Sequence, residues 1–353
     1  MLIYIFLIVI MLLLGIIMKP NSNKKNKKFY IFIVYGMLIL VGALRNYTIG
    51  TDTAQYTNSY KVIKFINFSE YTKLRFEFGF FALCKILNYI SESPQILLII
   101  TSLIIYGTIG WFVYRNSQDI VMSSILFITL NYYGIYLSAM RQAIAIALVL
   151  ISLKYLYQRK YMRYVLGVIA ASLFHQTAII MLILILFRNM KFKTKYLYTI
   201  IGVAALSFCF ANKLFELVAK VFAIYESYSK SGFFESNYFA ALLNSLVSLV
   251  VLVTGILCGY LSKNEDYSLN AFVMSISFIF YVISMKISIF SRATIYFSIF
   301  TILWLPNTVS TIKNSKQRVL IKYCILIFSL MYWIVIAKYR PEWHGVVPYK
   351  TFF

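Results

Sequence analysis

The chain has 353 residues, 61% of them hydrophobic and only 13% charged, and its 34 Lys and Arg outnumber its 11 Asp and Glu to give a net charge of +23. A soluble domain cannot carry so much apolar surface, so this is a polytopic membrane protein. The positive charge does not mark a nucleic-acid binder, because the basic residues are scattered among short loops, as a positive-inside bias predicts, and no soluble segment is available to hold a binding face.

Crossing a bilayer takes about 20 apolar residues. Backbone groups in lipid must be satisfied internally, so such runs are helices. The short alternating segments of an outer-membrane barrel are missing. The expectation is an all-α, polytopic helical bundle, a single transmembrane domain over 1–353. In chain order the expected full spans are 2–18, 29–44, 96–113, 120–138, 142–157, 196–211, 239–261, 269–289, 292–309 and 320–337. The first has no positive n-region and no small-residue cleavage site, so it reads as a retained helix. Outer loops are expected over 45–95 and 212–238. Within the first, residues 78–90 are short for a span and carry Lys85, which makes them interfacial or re-entrant. Cys84, Cys209, Cys258 and Cys324 lie in apolar runs without paired spacing and read as small hydrophobes.

Lys and Arg set the orientation. The loops 19–28, 154–163, 188–195 and 313–322 hold Lys24, Lys25, Lys27, Lys28, Arg159, Arg163, Arg188, Lys193, Arg318 and Lys322 among others, and all four belong inside. Two of them flank residues 162–187. If both are cytoplasmic, that segment enters and returns as a re-entrant hairpin. Each arm of about 11 residues extends roughly 16 Å, about half of a ~30 Å core. His175 then stands at the hairpin tip. One long tilted span is the alternative, and it would invert everything after it.

This frame puts a separate polar set on the outer side. The segment Arg45-Asn46-Tyr47-Thr48-Ile49-Gly50-Thr51-Asp52-Thr53-Ala54-Gln55-Tyr56 follows the second span, Arg141 and Gln142 stand at a helix end, and Arg292 lies four residues before Tyr296. Trp343, His344, Pro348 and Tyr349 join them. Arginine outside works against the topology rule, which suggests a task. A guanidinium is planar, permanently charged and able to grip phosphate through two bonds. Converging arginines can hold a diphosphate without a metal, and no paired-acid motif stands on that side, so no cofactor is called for. Each residue also has a plainer reading. Arginines snorkel, Asp52 follows Gly50 as a turn residue does, Glu77 can cap the next helix, and backbone can satisfy His175.

At these residues the sequence resembles the EpsG family, Wzy-like membrane proteins of bacterial exopolysaccharide and capsule synthesis. The matching pieces are Arg45-Asn46 with Gly50-Thr51-Asp52-Thr53 and Tyr56; Glu77-Phe78-Gly79-Phe80; Arg141-Gln142-Ala143-Ile144-Ala145; Ala170 through Phe174-His175-Gln176; Arg292 with Tyr296; and Val347-Pro348-Tyr349. Phe78 departs from the proline expected after the glutamate and leaves the role of Glu77 open. The resemblance implies a glycosyltransferase, a polymerase that joins undecaprenyl-diphosphate-linked oligosaccharide units at the outer face of the bacterial cytoplasmic membrane. Its partners would be that lipid-linked substrate, membrane lipid, a flippase and a chain-length regulator. Arg45, Arg141 and Arg292 are then the candidates for diphosphate binding, and Asp52 and His175 for the proton acceptor. Gln142, Glu77, Tyr56 and Tyr296 are supporting residues. A lipid-linked oligosaccharide flippase and a membrane O-acyltransferase are the rival readings.

Overall fold

The computed structural model describes residues 1–73, 76–221, 238–259 and 265–353. The chain is 78% helix and all-α, and the described residues contain no strand. Among the described residues, seven helices are long and apolar enough to cross a membrane, and two bent pairs would raise the number to nine if each is one span.

Each of the ten expected spans contains helix in its described residues, but several depart from a straight, full-length span: 269–289 leaves helix after Ser284, and 292–309 is interrupted at Ile299 and Phe300. Leu2–Met18 is a 17-residue helix. The expected span 120–138 is broken into Ile120–Thr129 and Tyr132–Ser138, bent by 55°. Asn131 makes the break: its φ is 67°, a left-handed conformation that asparagine tolerates better than most residues. The run 196–211 bends by 75° into a second helix. That helix, Ala211–Val221, buries Ala211 and Phe215, one turn apart, and exposes Asn212, Lys213 and Glu216. It occupies the start of the segment read as an outer loop; residues 222–237 lie outside the described part, as does the end of the expected span 239–261. The segment 45–95 holds two short helices, Thr53–Ile63 and Phe78–Asn88, and a 3-10 turn at Phe68–Lys73.

The sequence reads as one domain, whereas the contacts divide the chain into two compact units, residues 1–182 with 316–353, and residues 183–315. In the first, helix Gln95–Asn116 is about 33 Å long at 1.5 Å per residue, and its ends mark two polar faces. At its C-terminal end Asp119 accepts from Asn21 Nδ2 at 3.0 Å, from Met122 N at 3.1 Å as a helix N-cap, and from Lys322 Nζ. Lys27 Nζ donates to Ser117 O at 3.1 Å on the same face. At the other end Gln95 Nε2 reaches Arg45 O at 3.3 Å.

The second unit is built around Glu265–Ser284. Arg188 lies 3.8 Å from Asp266 near its start. Ile283, at its other end, packs with Ala211, Phe215, Ile287 and Phe290. Trp304 stacks on Tyr267 with ring centroids 5.2 Å apart and donates to Val251 O at 3.1 Å.

Asp119 joins three segments, so its removal should be felt across the first unit. Asp119→Ala should cost about 1–3 kcal/mol, through a lost cap and a stranded Lys322. Asp119→Asn, which keeps the cap, should cost less. Thermal unfolding of the detergent-solubilised protein measures both.

Candidate functional site

Arg45 follows helix Lys24–Ala43 and turns its side chain back into the first unit. It is only 2% exposed. Nη1 donates to Gly42 O and, at 3.3 Å, to Ser102 Oγ, while Nη2 donates to Leu137 O at 3.4 Å. Tyr106, Tyr133, Tyr4 and Tyr349 interact with it electrostatically. The guanidinium thereby ties the ends of two helices, at Gly42 and Leu137, to the body of Gln95–Asn116 at Ser102.

Residues 344–352 form a strap over this segment. Asn46 N donates to Lys350 O at 2.9 Å, Gly50 N to Gly345 O at 2.9 Å, Thr51 N to His344 O at 3.2 Å and Phe352 N to Leu44 O at 3.1 Å. Tyr4 Oη donates to Val346 O at 3.0 Å, and Tyr349 Oη to Val41 O at 2.8 Å. Gly50 makes the turn beneath the strap: its φ is +96°, and a Cβ there would stand 2.7 Å from Leu137 O. Burial pulls the imidazole of His344 down to about 4.

The second cluster forms around Glu77. This residue precedes helix Phe78–Asn88 in the N-cap position, yet its side chain makes no capping bond. One carboxylate oxygen, Oε2, takes Arg141 Nη1. The other, Oε1, lies 3.2 Å from His175 Nδ1 and accepts from Gln176 N at 3.3 Å. Arg141 stands in the first turn of Met140–Tyr157, where the helix dipole disfavours a cation by about 0.3–1 kcal/mol. The carboxylate more than offsets that. Phe76, Tyr56 and Phe80 wall the guanidinium, with ring centroids 4.9, 5.6 and 6.0 Å from Cζ. Burial raises the Glu77 pKa, but the His175 hydrogen bond and the charges of Arg141 and His175 outweigh it and hold the carboxyl below its usual value.

His175 reaches Glu77 because the chain folds back on itself. Helix Tyr161–Ser172 ends in a turn, and a 3-10 helix runs on over Gln176–Ile183. Tyr164 Oη donates to Met181 O at 2.7 Å across 17 residues. A straight helix would hold those residues about 25 Å apart. The tip is pinned by Gly79, whose N–H donates to Leu173 O at 2.7 Å. A Cβ at Gly79 would lie 2.7 Å from that same oxygen, so only glycine allows the approach.

The structure therefore brings Tyr56, Glu77, Arg141 and His175 together. Asp52 stands apart from the arginines: it accepts from Thr51 Oγ1 at 3.2 Å, and among the described residues it forms no ion pair. Gln142 is buried beside Arg141 in sequence. Arg292 and Tyr296 belong to the second unit, on Phe290–Ser298, with Arg292 exposed and Tyr296 buried. Among the described residues no three His, Cys, Asp or Glu side chains gather around one point. Sequence reasoning missed the aromatic walls Phe76 and Phe80, whose signal was the alternation of aromatics around Glu77. It named Glu77 as a supporting residue, with a helix cap as the plainer reading, and did not pair it with Arg141 and His175.

These features define a class: a multi-pass helical membrane protein with an acid, an arginine and a histidine joined beside an aromatic wall. The EpsG family's sequence model matches residues 27–351, almost the whole chain, and the protein belongs to that family, a Wzy-like polymerase family. No curated protein and no solved structure matches the chain.

Gly79→Ala should lower stability by about 1–3 kcal/mol, because a backbone carbonyl cannot move aside. Gly36→Ala, with nothing within 4 Å of the new Cβ, should be neutral or slightly stabilising. Unfolding midpoints separate the two. Glu77 adds a pH dependence. Its folded pKa lies below the usual value, so its contribution is complete above about 4.5 and is lost as pH falls through the folded pKa. The gap in unfolding midpoint between the wild type and Glu77→Gln should be widest above that value and close below it.

Proposed function

We propose that this protein polymerises undecaprenyl-diphosphate-linked oligosaccharide units into a capsular, exopolysaccharide or O-antigen-type glycan at the outer face of the bacterial cytoplasmic membrane. Family membership supports the polymerase role. The observation that carries the rest is the Glu77 cluster, which joins an anion-binding group to a proton acceptor.

The acceptor hydroxyl oxygen attacks the anomeric carbon of the growing donor. The bond from that carbon to the diphosphate oxygen breaks, and undecaprenyl diphosphate leaves with the electron pair. Arg141 holds the diphosphate and stabilises the charge that builds on the departing oxygen. Phe76, Tyr56 and Phe80 lower the dielectric around Arg141, which strengthens that stabilisation. His175 takes the hydroxyl proton. Arg45 acts from behind: its Nη donors are spent on Gly42, Ser102 and Leu137, and it holds the segment bearing Asp52 and Tyr56. Asp52 fixes the turn through Thr51. The hairpin 162–187 enters from the cytoplasmic side and delivers His175 to the outer half. Units arrive from a flippase, and a chain-length regulator sets how many are joined.

Lysine keeps the charge of arginine but loses its planar fork. Arg141→Lys should therefore reduce long-chain glycan at least about tenfold at unchanged protein abundance. Lipid-linked single units should then accumulate outside the cell, where an added glycosidase can reach them. Normal long-chain glycan would overturn the Arg141 assignment, and units trapped inside would favour a flippase.

A further inference from the structure

The Glu77 carboxylate serves two partners at once, and its two oxygens are divided between them. Oε2 is on Arg141, and Oε1 is on His175 Nδ1. An ionised carboxylate only accepts hydrogen bonds, so Nδ1 must carry the proton. The lone pair of the neutral ring is then on Nε2, and the tautomer is set by Glu77. Arg141 has a donor in reserve. Its Nε is buried and, among the described residues, has no hydrogen-bond partner. The side chains of Arg141, Glu77 and His175 are 18%, 9% and 15% exposed, so the cluster is largely shielded from water yet reachable.

Building on the polymerase reading, we infer that Glu77 is a positioning residue that couples anion capture to proton acceptance. A diphosphate on Arg141 neutralises the guanidinium that now opposes the imidazolium. The full carboxylate charge then acts on His175, and the imidazole becomes the stronger base. Among the described residues, the neighbouring charged groups have partners of their own. Tyr56 from Thr53–Ile63 faces Arg141. Lys85 on Phe78–Asn88 is drawn to Lys64 O at 3.0 Å, and Lys64 to Glu92. Arg163, on the hairpin, lies over Tyr155. Arg75 lies outside the described residues. A base that strengthens only when the donor is bound would confine proton removal to the loaded site.

The chain has just two histidines, so its imidazole signals can be assigned with one substitution, His344→Gln. Solid-state NMR of nitrogen-15 histidine-labelled protein in lipid bilayers reads the tautomer and the titration of His175, with inorganic pyrophosphate as the probe. Wild type should show the Nδ1–H tautomer. Saturating pyrophosphate should raise the proton affinity of His175 by about threefold or more, which is half a pKa unit. Glu77→Gln should bind pyrophosphate at least as tightly and lose most of that shift. An Nε2–H tautomer in wild type overturns the proposal, and so does an equal shift in wild type and Glu77→Gln. Lack of pyrophosphate binding by wild type would instead sink the role of Arg141 as the diphosphate holder. The tautomer measurement needs only wild type, so the test survives a failure of Glu77→Gln to fold.

Discussion

The ion pair between Glu77 and Arg141 is the constraint on which the site end of the first unit depends. Both groups are largely withdrawn from water, and withdrawing either alone costs several kcal/mol. Each therefore requires the other. Their pairing, between residues 64 positions apart, fixes the start of Phe78–Asn88 against the start of Met140–Tyr157. His175 joins from 98 residues away through the second oxygen. The hairpin, the short helix and the long helix are thus registered by one side chain.

The two arginines of this unit show how environment divides one residue type between tasks. Arg45 sits among tyrosines and gives its Nη donors to two carbonyls and a hydroxyl. Its charge is dispersed over dipoles. Arg141 faces a full opposite charge and three ring faces. A ligand anion can compete for a charge held by one carboxylate. It cannot readily reach a guanidinium whose exposure is 2%. The first arrangement organises the fold, and the second suits exchange.

Much of this was legible in the sequence. Run lengths gave the helices, because lipid leaves the backbone no other solution. Loop charge singled out Arg141 and His175 as polar groups with a task. The partnership through Glu77 was not legible, since nothing local distinguishes a capping carboxylate from one that reaches across the bundle. The break at Asn131 was hidden for a similar reason: hydropathy averages over a window and does not register one residue at positive φ. Arg45 looked like a ligand-binding arginine because sequence shows its neighbours along the chain and not the tyrosines Tyr4, Tyr106, Tyr133 and Tyr349 drawn from elsewhere.

The strap over Arg45 carries a consequence for the order of assembly. Asn46 and Thr351 are 305 positions apart, so the ribosome must make nearly all the intervening chain before they can meet. The entropy of closing so long a loop grows only with the logarithm of its length, and the equilibrium cost is modest. The delay is kinetic. Contacts of such high order form late, and until then the Arg45 segment waits at the membrane surface with its backbone donors turned to water. The strap binds mainly through main-chain groups, and Tyr349 is its side-chain anchor, on Val41 O and beside Arg45.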